Sequence, residues 1–351
     1  MAFQVFSPST PLVELHSHLG GGVDAATMWE LAHEQGIKVP YSDYFEFAGA
    51  TNIATGTDGL DGLNKVYHFT ELIQSSPEGV QRSVYQMLAL GYRSQRINKH
   101  EVRFNPAKRN RGGERDLDAI IMAAVHGLDR AQIDYGIEAG LILMMDRQFP
   151  MQLNEAIVER AIKFSDRGVI GIDIGGPRAR HDITYDYAGL ADIVREAKRA
   201  GGLGVTIHAG EEGYALDDDS LYMQEFHDVL DLAPDRIGHG IIASKHTGVM
   251  KDLAAMDIML EVCPTSNMRT GAILDYDQAS DIVANLLHHG VKVALCTDGP
   301  EMIGTTLRQE YDLLVGMGAI TTEDAAEMQG WARDKSFIGD RYEQKGNGSK
   351  D

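Results

Sequence analysis

Cysteine is nearly missing from this 351-residue chain, which holds only Cys263 and Cys296, each at the end of an apolar run. Two thiols cannot build a disulfide framework, so they read as small buried residues of a protein from a reducing compartment. Basic residues are also scarce, 32 Lys and Arg against 52 Asp and Glu, and the formal charge of −20 repels a nucleic-acid polymer. No apolar run approaches the roughly 20 residues that a membrane-spanning helix needs, and Met1-Ala-Phe-Gln4 lacks the basic start of a signal peptide. Low-complexity tracts and short repeats are missing too. What remains is an ordinary globular composition, 43% hydrophobic and 24% charged. It fits a cytoplasmic enzyme acting on a small molecule, with neither nucleic acid nor membrane as partner.

The apolar pattern has a regular alternation. Short, nearly continuous apolar runs at about 12–18, 100–106, 139–145, 169–174, 203–208, 236–239, 257–263 and 291–297 read as strands. Helical patterns separate them at 24–36, 78–98, 115–136, 152–166, 186–201, 219–232, 245–255 and 276–289. Such strands need a parallel sheet covered on both faces, and eight strand–helix units close into an α/β (β/α)8 TIM barrel. Residues 1–351 are thus expected to form one barrel domain with short tails at about 1–10 and 341–351. The less regular stretch 37–80, an insertion after strand one, carries Tyr41, Tyr44, Phe45, Phe47, Tyr67, His68 and Phe69. These aromatics pack onto the barrel rim or line a pocket.

The chemistry-bearing residues fall where this fold places active sites, at the downstream ends of strands. In Leu12-Val-Glu-Leu-His16-Ser-His18, residues two apart on a strand face the same way, so both imidazoles aim at one point. His208, His239 and Asp298 each follow a later apolar run. His16, His18, His208 and Asp298 offer three nitrogens and one oxygen, a set suited to zinc, although other divalent metals share this ligand preference. A catalytic zinc activates water near neutral pH, which makes the expected chemistry hydrolytic. His239 is positioned to orient that water or accept its proton. Glu211, on the tight turn His208-Ala-Gly-Glu211, can give a proton to a ring nitrogen while the adjacent carbon is attacked.

His16-Ser-His18-Leu, His208-Ala-Gly-Glu211, Arg236-Ile-Gly-His239-Gly, Glu261-Val-Cys-Pro-Thr-Ser-Asn267 and Thr297-Asp298 together resemble the signature motifs of the adenosine deaminase family of metal-dependent amidohydrolases. The resemblance runs in order from about residue 10 to 325. It implies zinc held by His16, His18, His208 and Asp298, purine N1 protonated by Glu211, and water oriented by His239. It further implies that the backbone N–H of Gly176 meets purine N3 and that Glu261 supports His239. The implied reaction converts a 6-aminopurine nucleoside to the 6-oxopurine and ammonia.

Two positions depart from the pattern. Adenosine-specific members carry an Asp directly after His-X-His-Leu, toward the sugar hydroxyl, where this chain has Gly20. They carry a second Asp directly after the zinc-ligand Asp, toward N7, where it has Gly299. Lost carboxylates and added room point to a bulkier or anionic substrate such as a nucleotide or 5′-modified nucleoside, or to adenine or a pterin-like heterocycle. Arg178 and Arg180, following strand four, could pair with an anionic group. A metal-free barrel that binds without turnover is the non-enzymatic alternative.

Overall fold

The computed structural model describes residues 4–53, 59–110, 115–176 and 185–339. Eight parallel strands lie in sequence order: β1 Leu12–His18, β2 Ile97–Phe104, β3 Glu138–Asp146, β4 Val169–Gly175, β5 Gly204–Ala209, β6 Arg236–His239, β7 Met259–Val262 and β8 Val293–Leu295. The ring closes between the last strand and the first. Asp298 N–H donates to the His16 carbonyl at 2.9 Å, and His18 N–H donates to the Asp298 carbonyl at 2.6 Å. The buried Glu14 carboxylate ties the same seam, accepting from His16 N–H at 2.9 Å and from the Thr297 hydroxyl at 2.8 Å. The α/β barrel expected from the apolar periodicity is therefore present, with β2 beginning three residues earlier than its pattern suggested.

Helices cover the outside of the sheet: α1 Ala25–Glu34, α2 Tyr44–Ala50, α3 Gly59–Ile73, α4 Pro77–Gln95, α5 Leu117–Tyr135, α6 Met151–Lys163 and α7 Tyr187–Gly201 in the first half. The second half adds α8 Ser220–Asp231, α9 Thr247–Ala255, α10 Pro264–Arg269, α11 Tyr276–His288, α12 Pro300–Ile303, α13 Leu307–Gly316 and α14 Thr322–Asp334. Asp24 caps α1 by accepting from Thr27 N–H, as its position before an apolar period suggested. Among the described residues no helix is long and apolar enough to cross a membrane.

The stretch after β1 is more ordered than its sequence suggested, because it folds into α2 and α3. Glycines and aromatics are weak helix formers, so these helices depend on packing rather than on propensity. Phe47 is fully buried against Trp29, Tyr41 and Phe69, whereas Tyr67 and His68 face the barrel mouth. The insertion thus serves both as rim packing and as pocket wall.

At the opposite end the chain closes the barrel floor. Gly204 begins β5 without a side chain, and a Cβ there would meet the Phe337 ring at 2.2 Å. That ring lies 3.6 Å from the guanidinium carbon of Arg236, while Phe337 N–H and the Ser336 hydroxyl donate to Glu101 at 2.6 and 2.8 Å. Replacing Phe337 with Ala should remove this plug and lower stability by about 3 kcal/mol, read from the urea midpoint.

Candidate active site

The mouth of the barrel holds a cavity of about 650 Å³ reaching His18, His208, Glu211, His239 and Asp298. Nε2 of His18 lies 3.3 Å from Nε2 of His16 and 3.1 Å from Nε2 of His208. Asp298 Oδ1 stands 3.3 Å from His18 Nε2 and 3.9 Å from His16 Nε2. Each of the outer ring nitrogens of His16 and His208 faces a carboxylate, Glu261 at 2.7 Å and Asp173 at 3.0 Å. Those carboxylates hold the protons on the Nδ1 atoms, so unprotonated Nε2 lone pairs converge. Lone pairs this close repel one another unless a cation lies between them. Tetrahedral zinc with bonds of about 2.0–2.1 Å spaces its ligand atoms by roughly 3.3 Å, close to most of the distances seen here. The donor set therefore fits a divalent metal.

Electrostatics agree with that fit. Burial, with a contribution from the Arg103 charge, pushes His16 well below the ordinary imidazole range. Burial pushes His18 down to about 3, against the pull of Asp298. Both rings are neutral at pH 7, the form that binds metal. Burial alone would raise Asp173, but its contact with His208 and the charge of Arg103 more than offset it and hold the carboxyl below its usual range.

Beneath the metal donors lies a ladder of alternating charge in the barrel interior. Arg103 donates to Asp173 at 2.9 Å and to Glu261 at 2.8 Å. Arg236 donates to Glu261 at 2.6 Å and to Glu101 at 2.5 Å. All five side chains are fully buried. Here the structure corrects a reading made from resemblance. Glu261 faces His16 rather than His239, because strands β1 and β7 both turn these side chains into the interior above Arg103 and Arg236. His239 is instead held by Asn267, whose Nδ2 lies 3.0 Å from its Nδ1 and 3.4 Å from Glu211 Oε1. Glu211 Oε2 in turn lies 3.6 Å from His239 Nε2, which puts a carboxyl and an imidazole side by side at the mouth.

Two backbones are held in the left-handed region to achieve this, His239 at φ 62° and Asp298 at φ 63°. Non-glycine residues adopt that conformation at a cost, and here it turns each side chain from its strand end into the cavity. The Ser266 hydroxyl donates to Asp298 Oδ2 at 2.6 Å and orients it further. Arg103, Asp173, Ser266 and Asn267 received no role from the sequence. A charged residue inside an apolar strand, as in His100-Glu-Val-Arg103-Phe or Ile172-Asp173-Ile, was the available signal.

The substrate-facing positions divide. Gly176 sits exposed at the mouth with φ 87°, where a Cβ would collide with Asp146 Oδ1 at 2.5 Å. Gly20 and Gly299 were expected to leave room for a larger substrate, and Tyr67 of α3 takes that room instead. A Cβ at Gly20 would lie 2.8 Å from the Tyr67 ring, and one at Gly299 would lie 3.1 Å from its hydroxyl. Burial and the Asp298 charge raise the Tyr67 phenol well above its ordinary range, so it remains a donor at neutral pH. Arg178 and Arg180 lie outside the described residues.

Convergent imidazoles and a carboxylate at the C-terminal mouth of a (β/α)8 barrel define the class as a hydrolase barrel whose donors would suit a divalent metal. The family described as adenosine deaminase matches residues 11–345, so the chain belongs to the adenosine deaminase family and is a hydrolytic aminohydrolase. An adenosine deaminase of Shewanella denitrificans is 27% identical over 334 residues, 95% of this chain and 96% of its own. Among solved structures, the N6-methyl-AMP deaminase of Arabidopsis thaliana shares the fold with TM-score 0.78 at 24% identity, covering 96% of this chain and 95% of its own. A zinc-bound amidohydrolase of Burkholderia ambifaria does so with TM-score 0.79 at 23% identity, covering 97% and 89%.

Changing Glu261 to Gln should leave Arg103 and Arg236 each short of one negative neighbour and cost about 3 kcal/mol in urea unfolding. The same change should weaken metal retention about 10- to 100-fold in a chelator competition, since His16 loses the partner that orients it.

Proposed function

We propose that this protein is a zinc-dependent deaminase converting a 6-aminopurine nucleoside, adenosine or a derivative, to the 6-oxopurine and ammonia. The observation that carries the reading is the placement of the Glu211–His239 pair beside the four converging donors of His16, His18, His208 and Asp298. A divalent cation in that cage supplies an activated water at neutral pH. The zinc-bound relative with the same fold supports this choice of metal.

The chain's own residues supply the proton handling. His239, oriented by Asn267, takes a proton from the attacking water as oxygen bonds to C6. Glu211 gives its proton to N1, so that charge does not build up on the ring as the C=N bond becomes single. The exocyclic amine then takes the proton held by His239 and leaves as ammonia, while the new hydroxyl gives its proton back to the Glu211 carboxylate and the 6-oxo product keeps its N1 proton. The Gly176 N–H meets N3 at the exposed side of the ring, and Asp298 keeps its oxygen toward the cation through Ser266.

The outer cavity favours a neutral sugar over a phosphate. Among the described residues its outer cations are already matched: Lys108 with Asp146 at 2.6 Å, Arg109 with Glu71 at 3.3 Å and Arg147 with Glu225 at 3.4 Å. An anion would have to displace a carboxylate from one of these pairs and leave it in a partly dry wall.

An ammonia-release screen across adenosine, 5′-modified adenosines, adenylates, adenine and pterins tests the reading, with adenosine-type nucleosides expected to lead. Glu211→Gln should keep zinc, measured by elemental analysis, and lose about 10²- to 10⁴-fold in turnover. His16→Ala should lose the metal itself. A metal-free protein inert toward every aminopurine would instead favour a binding barrel.

A further inference from the structure

We infer that Arg147 is a positioning residue that closes an open seam between β4 and β5 at the barrel mouth and so fixes His208 in the donor cage. The inference rests on the metal-site reading above, whereas the seam itself is visible in the strand ladders. β3 and β4 stay paired up to Asp146 and Gly175, and β5 and β6 stay paired up to Ala209 and His239. Between β4 and β5 the register ends earlier, at Ile172 and Val205. Toward the mouth β4 therefore follows β3 while β5 follows β6, and the two part from each other.

Parted strands leave backbone carbonyls facing a gap. The Ala209 carbonyl accepts from Gly240 N–H at 2.9 Å on the β6 side, so the His208 carbonyl, one residue earlier, points the other way, into the seam. On the far bank the Gly175 carbonyl accepts from Arg147 N–H at 3.0 Å on the β3 side, which leaves the Gly176 carbonyl for the seam. The Arg147 guanidinium serves both banks. Its Nη1 donates to the Gly176 carbonyl at 3.3 Å, and its Nη2 donates to the His208 carbonyl.

The side chain is only 5% exposed, so water is a poor substitute for these bonds. The helices that follow the two strands hold the guanidinium from behind. Nε donates to the Tyr187 hydroxyl of α7 at 3.0 Å, and that hydroxyl donates to Glu225 of α8, itself 3.4 Å from Nε. A planar fork of fixed donors spans the gap, which the single ammonium of a lysine cannot do.

The width of the seam bears directly on the cage. His208 has its backbone on β5, but its Nδ1 is held by Asp173 of β4 at 3.0 Å, and Asp173 is fixed in turn by Arg103. The ring thus takes its orientation from the opposite bank, and the Arg147 bridge sets how far apart the banks stand.

The test uses the full-length protein, the variants Arg147→Lys and Arg147→Ala, and zinc as the probe ion. In a chelator competition both variants should retain zinc about 10- to 100-fold less tightly than the wild type. Guanidinium chloride at a non-denaturing concentration should restore zinc retention and turnover to Arg147→Ala, since the ion can enter from the cavity that Arg147 lines. Sodium chloride of equal ionic strength should not. Wild-type retention in either variant, or equal rescue by the two salts, overturns the inference. Should neither variant fold, Tyr187→Phe decides: loosening the guanidinium from behind should weaken zinc retention in the same direction, and unchanged retention overturns the inference. A wild type that holds no zinc refutes the metal reading separately. In that protein the proton NMR signal of His208 Nδ1–H, assigned by its loss in His208→Ala, should still shift and broaden in Arg147→Lys or, failing that, in Tyr187→Phe, and an unchanged signal overturns the seam's role.

Discussion

The alternating charges inside the barrel are the constraint on which the rest of the site depends. Asp173, Arg103, Glu261, Arg236 and Glu101 are all removed from water, and each is tolerable only because its neighbours carry the opposite sign. The ladder does more than neutralise itself. Its two upper carboxylates take the outer nitrogens of His16 and His208, so the same charges that stabilise the interior also set which nitrogen of each ring faces the mouth. Geometry at the mouth is thereby inherited from packing several residues deeper.

At the lower end, Glu101 accepts from the backbone and hydroxyl of the segment that also lays Phe337 over Arg236. Floor and mouth are joined by a continuous run of hydrogen bonds through the middle of the barrel. Such a run is stiff because no member can rotate without stranding a buried charge. Stiffness of this kind lets three rings from two strands, plus a carboxylate following a third, bring most of their measured donor spacings close to the one a metal prefers.

Much of this is legible in the amino-acid sequence. Apolar periodicity revealed all eight strands because both faces of a parallel barrel are buried, and the pattern is then nearly unbroken. The converging donors were legible because imidazole and carboxylate are costly at strand ends unless they do something there. The helices of the insertion were not, since α3 carries glycines and aromatics whose helical state comes from contacts with distant residues. The contacts of Asn267 and Tyr67 were missed for a related reason, although Tyr67 was read as rim packing or pocket lining. Their roles lie in what they approach across the fold, His239 in one case and two glycine loops in the other, and spacing along the chain does not encode either meeting. The partner of Glu261 was misread because strand neighbours compete for one carboxylate, and only the ring orientation shows which imidazole receives it.

The seam between the first and last strands has a consequence for how the molecule comes into being. Asp298 is bonded through its backbone to both His16 and His18, yet some 280 residues of chain separate them. Contacts of such long range form late, after the intervening units have compacted. A nascent or partly assembled barrel can own every histidine and still lack the cage, so reactivity arrives only with the final act of assembly.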